Sequence, residues 1–83
     1  MIERNNMLIN KIVEEATNRG ERLTENRIKI LRLILDNPYI SKYELASNIG
    51  ISYTAITNNI KVMRGKYVRR VGPDKGGFWE VLI

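Results

Sequence analysis

The chain contains no cysteine and no histidine. The first absence rules out a disulfide framework and thiolate metal sites, and suits a reducing compartment. The second removes Ser-His and Cys-His catalysis, and the two together remove ordinary zinc constellations. Apolar runs such as Leu33-Ile34-Leu35 are far too short to span a bilayer. The N-terminus does not resemble a signal peptide, so a soluble cytoplasmic protein without membrane association is expected. No G-x-x-x-x-G-K-S/T phosphate loop occurs. Glu14 and Glu15 are adjacent and point to different sides of a helical turn, and Gly76-Gly77 reads more simply as a turn than as a phosphate cradle. The expectation is a non-enzyme with no catalytic residue, no cofactor and no metal.

Acidic residues are also missing where basic ones gather. In residues 1 to 38, Arg4, Lys11, Arg19, Arg22, Arg27, Lys29 and Arg32 nearly balance Glu3, Glu14, Glu15, Glu21, Glu25 and Asp36. From Tyr53 to Gly72 the charged residues are Lys61, Arg64, Lys66, Arg69 and Arg70, with no acid among them. The formal net charge of +5 in 83 residues is therefore concentrated in one stretch of a single small domain, as a polyanion-binding surface requires.

That stretch belongs to a helix-turn-helix pattern spanning Glu44 to Lys66. Ser41-Lys42-Tyr43-Glu44 has the form of a capping box, so a helix starts near Lys42, buries Leu45, Ala46 and Ile49, and stops at Gly50. Ile51 fills the corner and Ser52 caps a second helix from Tyr53 to about Gly65. Ala46 and Gly50 supply the small and the flexible residue that crossing helices and a tight turn need. At 100° per residue, Ile60 and Met63 stay within roughly 40° of Ile56, while Thr54, Thr57 and Lys61 fall opposite and Tyr53, Asn58 and Arg64 flank them. An ordinary solvated face has the same look, but this one carries hydroxyl, amide and cationic groups without a carboxylate, which a major groove accepts.

Upstream, Leu8, Ile9, Ile12, Val13 and Ala16 form one stripe of a helix over residues 3 to 19, with Gly20 as its stop. Thr24 caps the next helix and Asn37-Pro38 ends it. Its apolar residues spread over an arc of roughly 220°, more than one partner can cover. Ile30, Leu33 and Ile34 are left for residues 8 to 16, either within the chain or from a sister chain. Tyr39-Ile40 suits a minimal strand. Downstream, Tyr67 to Val71 and Phe78 to Ile83 read as strands around a Gly- and Pro-rich turn, with Trp79, Val81 and Ile83 on one face. Trp79 reads as a core residue, with a base-stacking role as the alternative.

Three helices and a hairpin make a winged helix-turn-helix, a mostly α fold with a small β-hairpin (α+β), here with an extra N-terminal helix. The expected division is residues 1–22 as an amphipathic, dimerising element and 23–83 as the winged domain. Leu23-Thr24-Glu25-Asn26, Tyr43-Glu44-Leu45-Ala46, Ile49-Gly50-Ile51-Ser52, Asn59-Ile60 and Val71 to Val81 resemble a winged-helix DNA-binding module of bacterial and archaeal transcriptional regulators. In many of them it is similar to the C-terminal module of larger helicase-like or Schlafen-like proteins with an ATPase-type region. The resemblance implies DNA binding but does not bring the ATPase. Trp79 before the final strand also resembles left-handed-DNA-binding winged helices, but their recognition-helix tyrosine is replaced by Lys61, which argues against that ligand.

The expected function is sequence-specific binding of double-stranded DNA by a transcriptional regulator, with residues 53–64 in the major groove and the wing, 72–77, on the backbone or minor groove. Thr54, Thr57, Asn58 and Lys61 would face base edges. Lys42, Tyr53, Arg64 and the amides at the helix start near Ser52 would hold phosphates. Of the alternating Arg69 and Arg70, Arg70 is favoured to face the duplex, and Lys75 would reach a phosphate or the minor groove. A homodimer through the N-terminal helix would double the site. The alternatives are a protein-interaction module that binds no DNA, and RNA binding by the same basic face, for which no specific motif is visible.

Overall fold

The structure is a computed structural model that describes residues 2–73 and 75–82. Four helices precede one hairpin: α1 (Ile2–Asn18), α2 (Glu25–Asp36), α3 (Lys42–Ile49), α4 (Tyr53–Met63), β1 (Val68–Val71) and β2 (Phe78–Val81). This is the expected winged helix-turn-helix. Among the described residues no helix is long and apolar enough to cross a membrane.

Helix boundaries follow the capping chemistry. Thr24 accepts from the Arg27 amide at 3.3 Å and opens α2. Ser41 and Glu44 form both halves of a capping box at 3.1 Å each. Gly50, at φ 84°, closes α3, and its amide donates to Ala46 at 2.8 Å. No residue with a Cβ adopts that conformation readily, so the turn into α4 needs a glycine there.

α2 is the central element and packs against α1, α3, α4 and β2. Its wide apolar arc is thereby explained: Ile30, Leu31 and Ile34 are buried. Ile9, Ile12 and Ala16 of α1 join the same core as Leu45, Ile56, Ile60, Met63, Val68 and Trp79. The stripe expected to face either its own domain or a sister chain is covered at home. Leu33 differs from expectation, because it is only partly buried. It lines a shallow external groove with Ile49.

β1 and β2 pair antiparallel, with Arg70 opposite Trp79 and Arg69 opposite Glu80. The strands are shorter than expected, and Tyr67 precedes β1 as a buried residue. Ile83 of the expected strand face and Asp74 of the turn lie outside the described residues. Tyr39-Ile40 is not a strand. Their amides donate back to the Asn37 side chain (3.1 Å) and carbonyl (3.0 Å), so neither is left for a ladder. β2 is instead held by two bonds from Trp79, whose amide donates to Pro38 and whose indole Nε1 donates to Ile40, each at 2.8 Å.

The first connection is anchored to the last. Glu21, between α1 and α2, accepts from the Tyr67 hydroxyl at 2.7 Å and from Lys66 Nζ at 3.2 Å. The Tyr67 bond, followed by the Lys66 bond, holds the Glu21 carboxyl below its ordinary value. Burial, reinforced by the bond to Glu21, pushes the Tyr67 phenol up.

Candidate nucleic-acid interface

The second helix of the motif, α4, is fixed from both sides. Ile56, Ile60 and Met63 seat it in the core. On its flank Arg27 Nε of α2 donates to Asn59 Oδ1 at 3.1 Å, while Asn59 Nδ2 donates to its own helix at Ala55 O, 2.8 Å away. This bridge sets the angle of α4 against α2. Sequence spacing carried no signal for it, because partners 32 positions apart meet only once the helices cross.

Held this way, α4 turns Thr54, Asn58 and Lys61 outward, all exposed, with Arg64 exposed at its C-cap. Thr57 departs from the expectation of an outward residue. It is half-buried, and its hydroxyl is shielded and makes no hydrogen bond among the described residues. The cause is angular: Thr57 stands only 100° from Ile56 and not opposite it, on the shoulder of the helix beside the hairpin residues Arg70 and Trp79.

The space between them is a groove of about 200 Å³, whose lining includes Lys42, Thr57, Lys61, Arg64, Arg70 and Trp79. Beside it, Ser41, Lys42, Tyr43, Tyr53, Arg70 and Trp79 line a second cleft of about 340 Å³. Among the described residues, neither lining contains a carboxylate. The fold thus gathers six of the expected residues, Lys42, Tyr53, Thr57, Lys61, Arg64 and Arg70, around two adjoining clefts. Thr54 and Asn58 stand on the exposed face of α4, and Lys75 is exposed at the hairpin tip. Ser52 is occupied by capping, its hydroxyl accepting from the Ala55 amide at 3.0 Å.

The hairpin sorts its two arginines by face. Arg69 forms a salt bridge with Glu80 at 3.0 Å. Arg70 lies on the α4 side, its guanidinium 4.8 Å from the Trp79 ring centroid and Nη2 donating to Pro73 O at 3.1 Å. Lys66 is likewise tied to Glu21. Two cations of the acid-free stretch are therefore neutralised by distant carboxylates. The positive face then comprises Lys42, Lys61, Arg64 and Lys75, with Arg70 held beside them against Trp79 and Pro73.

Tyr43 was not among the expected site residues. Its ring stacks on that of Tyr53 with centroids 4.5 Å apart and planes 29° from parallel, and it is 72% exposed. Lys42 Nζ lies 6.0 Å from the Tyr53 ring centroid. The available hint was compositional: few aromatics, two of them at the starts of consecutive helices.

Comparison with known proteins agrees with this geometry. A family model described as winged helix-turn-helix DNA-binding matches residues 23–64, from the start of α2's cap region to the end of α4. The match carries nothing of the helicase-like or Schlafen-like association. No curated protein and no solved structure matches the chain significantly. With half of its length matched and the helices and hairpin in place, the chain belongs to the winged helix-turn-helix DNA-binding family.

Proposed function

We propose that the protein is a sequence-specific, double-stranded-DNA-binding transcriptional regulator of the cytoplasm, with α4 in the major groove and residues 72–77 against the backbone or the adjacent minor groove. The observation that carries this reading is the convergence of Lys42, Lys61, Arg64 and Arg70 on two adjoining clefts along α4. Thr54, Asn58 and Lys61 provide donors and acceptors for base edges, and Lys42, Arg64, Arg70 and Lys75 provide charge for phosphates. Selection of bound sequences from a random duplex library, followed by methylation interference at guanine N7, tests it. Interference at guanines within the selected site is expected. An unenriched library, or binding indifferent to major-groove methylation, contradicts it.

Two-fold pairing would double the site read by one helix. Its original support, the α1 stripe, is used inside the chain, since Ile9, Ile12 and Ala16 are all buried. Pairing through α1 would therefore rest on the outer side of that helix, where Met7 is 70% exposed. Sedimentation at tens of micromolar, alone and with selected DNA, distinguishes a dimer from two independently bound monomers.

A further inference from the structure

The larger cleft has features that an intact duplex does not use. Tyr43 and Tyr53 form a stacked pair on the surface, and both rings line the cleft. Tyr43 remains 72% exposed, so the stack is open to a further planar ring. A second planar pair, the Arg70 guanidinium over Trp79, lines the same cleft. That pair is fixed in place, because the Trp79 indole is bonded to Ile40 and the Arg70 guanidinium to Pro73. Lys42 lines this cleft and the adjoining groove, which Lys61 and Arg64 also line. Aromatic walls with cations, and no carboxylate among the described lining residues, suit a flat, anionic ligand.

We propose that this cleft takes one unpaired nucleotide, its base stacked on the tyrosine pair and its phosphate near Lys42. Bases inside a duplex are stacked on both faces, so an aromatic platform beside double-stranded DNA finds a partner only where a base is unpaired. The ligand is a nucleotide of a single-stranded end adjoining the bound duplex. This inference rests on the duplex-binding reading above, which places the cleft next to the DNA.

The test is fluorescence anisotropy at fixed salt with a blunt duplex and with the same duplex carrying a short thymine overhang on either strand. One overhang should bind about fivefold to a hundredfold more tightly than the blunt form, as one stacked base supplies. Tyr43→Ala should abolish that gain and leave blunt-duplex affinity unchanged, while Tyr43→Phe should keep it. Equal affinity of the wild-type protein for blunt and overhanging DNA overturns the proposal. So does a gain that survives Tyr43→Ala, or one that Tyr43→Phe loses equally, since a hydroxyl-to-phosphate bond would then explain it. Overhang binding without blunt-duplex binding supports the cleft and overturns the duplex reading; no binding to either overturns both. Thymidine monophosphate alone identifies the source: tyrosine quenching at low millimolar shows that a free nucleotide suffices, and its absence with the overhang gain intact assigns the strand end.

Discussion

The indole Nε1 of Trp79 donates to the backbone carbonyl of Ile40 at 2.8 Å, joining the last strand to the residue just before the Ser41 cap of α3. The Trp79 amide adds a bond to Pro38. One residue of the hairpin therefore fixes where the helix-turn-helix begins, and carries Arg70 on its face. The wing and the motif are positioned as one unit.

Trp79→Phe keeps an aromatic ring and removes the indole donor. Ile40 is 5% exposed, so its carbonyl loses its partner in a place where water replaces it poorly. The expected loss is about 1–3 kcal/mol, measured by urea unfolding followed by circular dichroism. An unchanged midpoint would show that the bond does not hold the wing.

Gly77 is required by space. A Cβ there would collide with the carbonyl oxygens of Pro73 and Val71, and the Gly77 amide already donates to Pro73 at 3.0 Å. Gly77→Ala should destabilise the protein by about 1–3 kcal/mol, the usual cost of overpacking. Amide chemical-shift changes should concentrate in residues 71–78. Shifts spread through α1 and α2, or none in the hairpin, would contradict the local account.

Much of this fold was legible because its signals are local. Ser41 and Glu44, Ser52, Thr24 and Gly50 each act within a few residues, and the helix boundaries they announce are those observed. The strand expected at Tyr39-Ile40 failed on equally local chemistry, the Asn37 turn that takes both amides. What the sequence did not reveal depends on elements meeting at a distance. The Arg27–Asn59 bridge, the neutralisation of Lys66 by Glu21 and the Tyr43–Tyr53 stack all join residues whose separation carries no periodic signature. Thr57 lay between these cases: its angle on α4 was computable, but the hairpin beside it was not.

The Glu21–Tyr67 bond gives stability a pH dependence at both ends. The Glu21 carboxyl is held below its ordinary value of 4.5, so its contribution is present above that pH and fades as pH falls through the lowered value. The Tyr67 phenol is raised above 10.0, so its contribution is present below that pH and is lost as pH rises through the raised value. Glu21→Gln should flatten the acid limb of a plot of urea midpoint against pH, and Tyr67→Phe the alkaline limb. Parallel curves for wild type and both variants would contradict the coupling.

Lys61 and Lys75 should separate base reading from phosphate holding. Lys61→Ala is expected to relax preference at one base pair of a selected site, by about 1–3 kcal/mol of discrimination, and Thr57→Ala to weaken binding or preference beside it. Lys75→Ala should weaken all sequences about equally and make the salt slope shallower by about 0.9. If Lys61→Ala and Thr57→Ala leave both affinity and preference unchanged, α4 is not the reading helix.

The most direct test of the central claim, that the face around α4 binds duplex DNA through its cations, is an anisotropy titration of random-sequence duplex across a salt series, with duplex RNA as control. Engagement of three to five of Lys42, Lys61, Arg64, Arg70 and Lys75 predicts a slope of log affinity against log salt between about −2.7 and −4.5, each phosphate contact contributing about 0.9. RNA binding should be weaker. No DNA binding at low salt, or an affinity that barely responds to salt, would contradict the account.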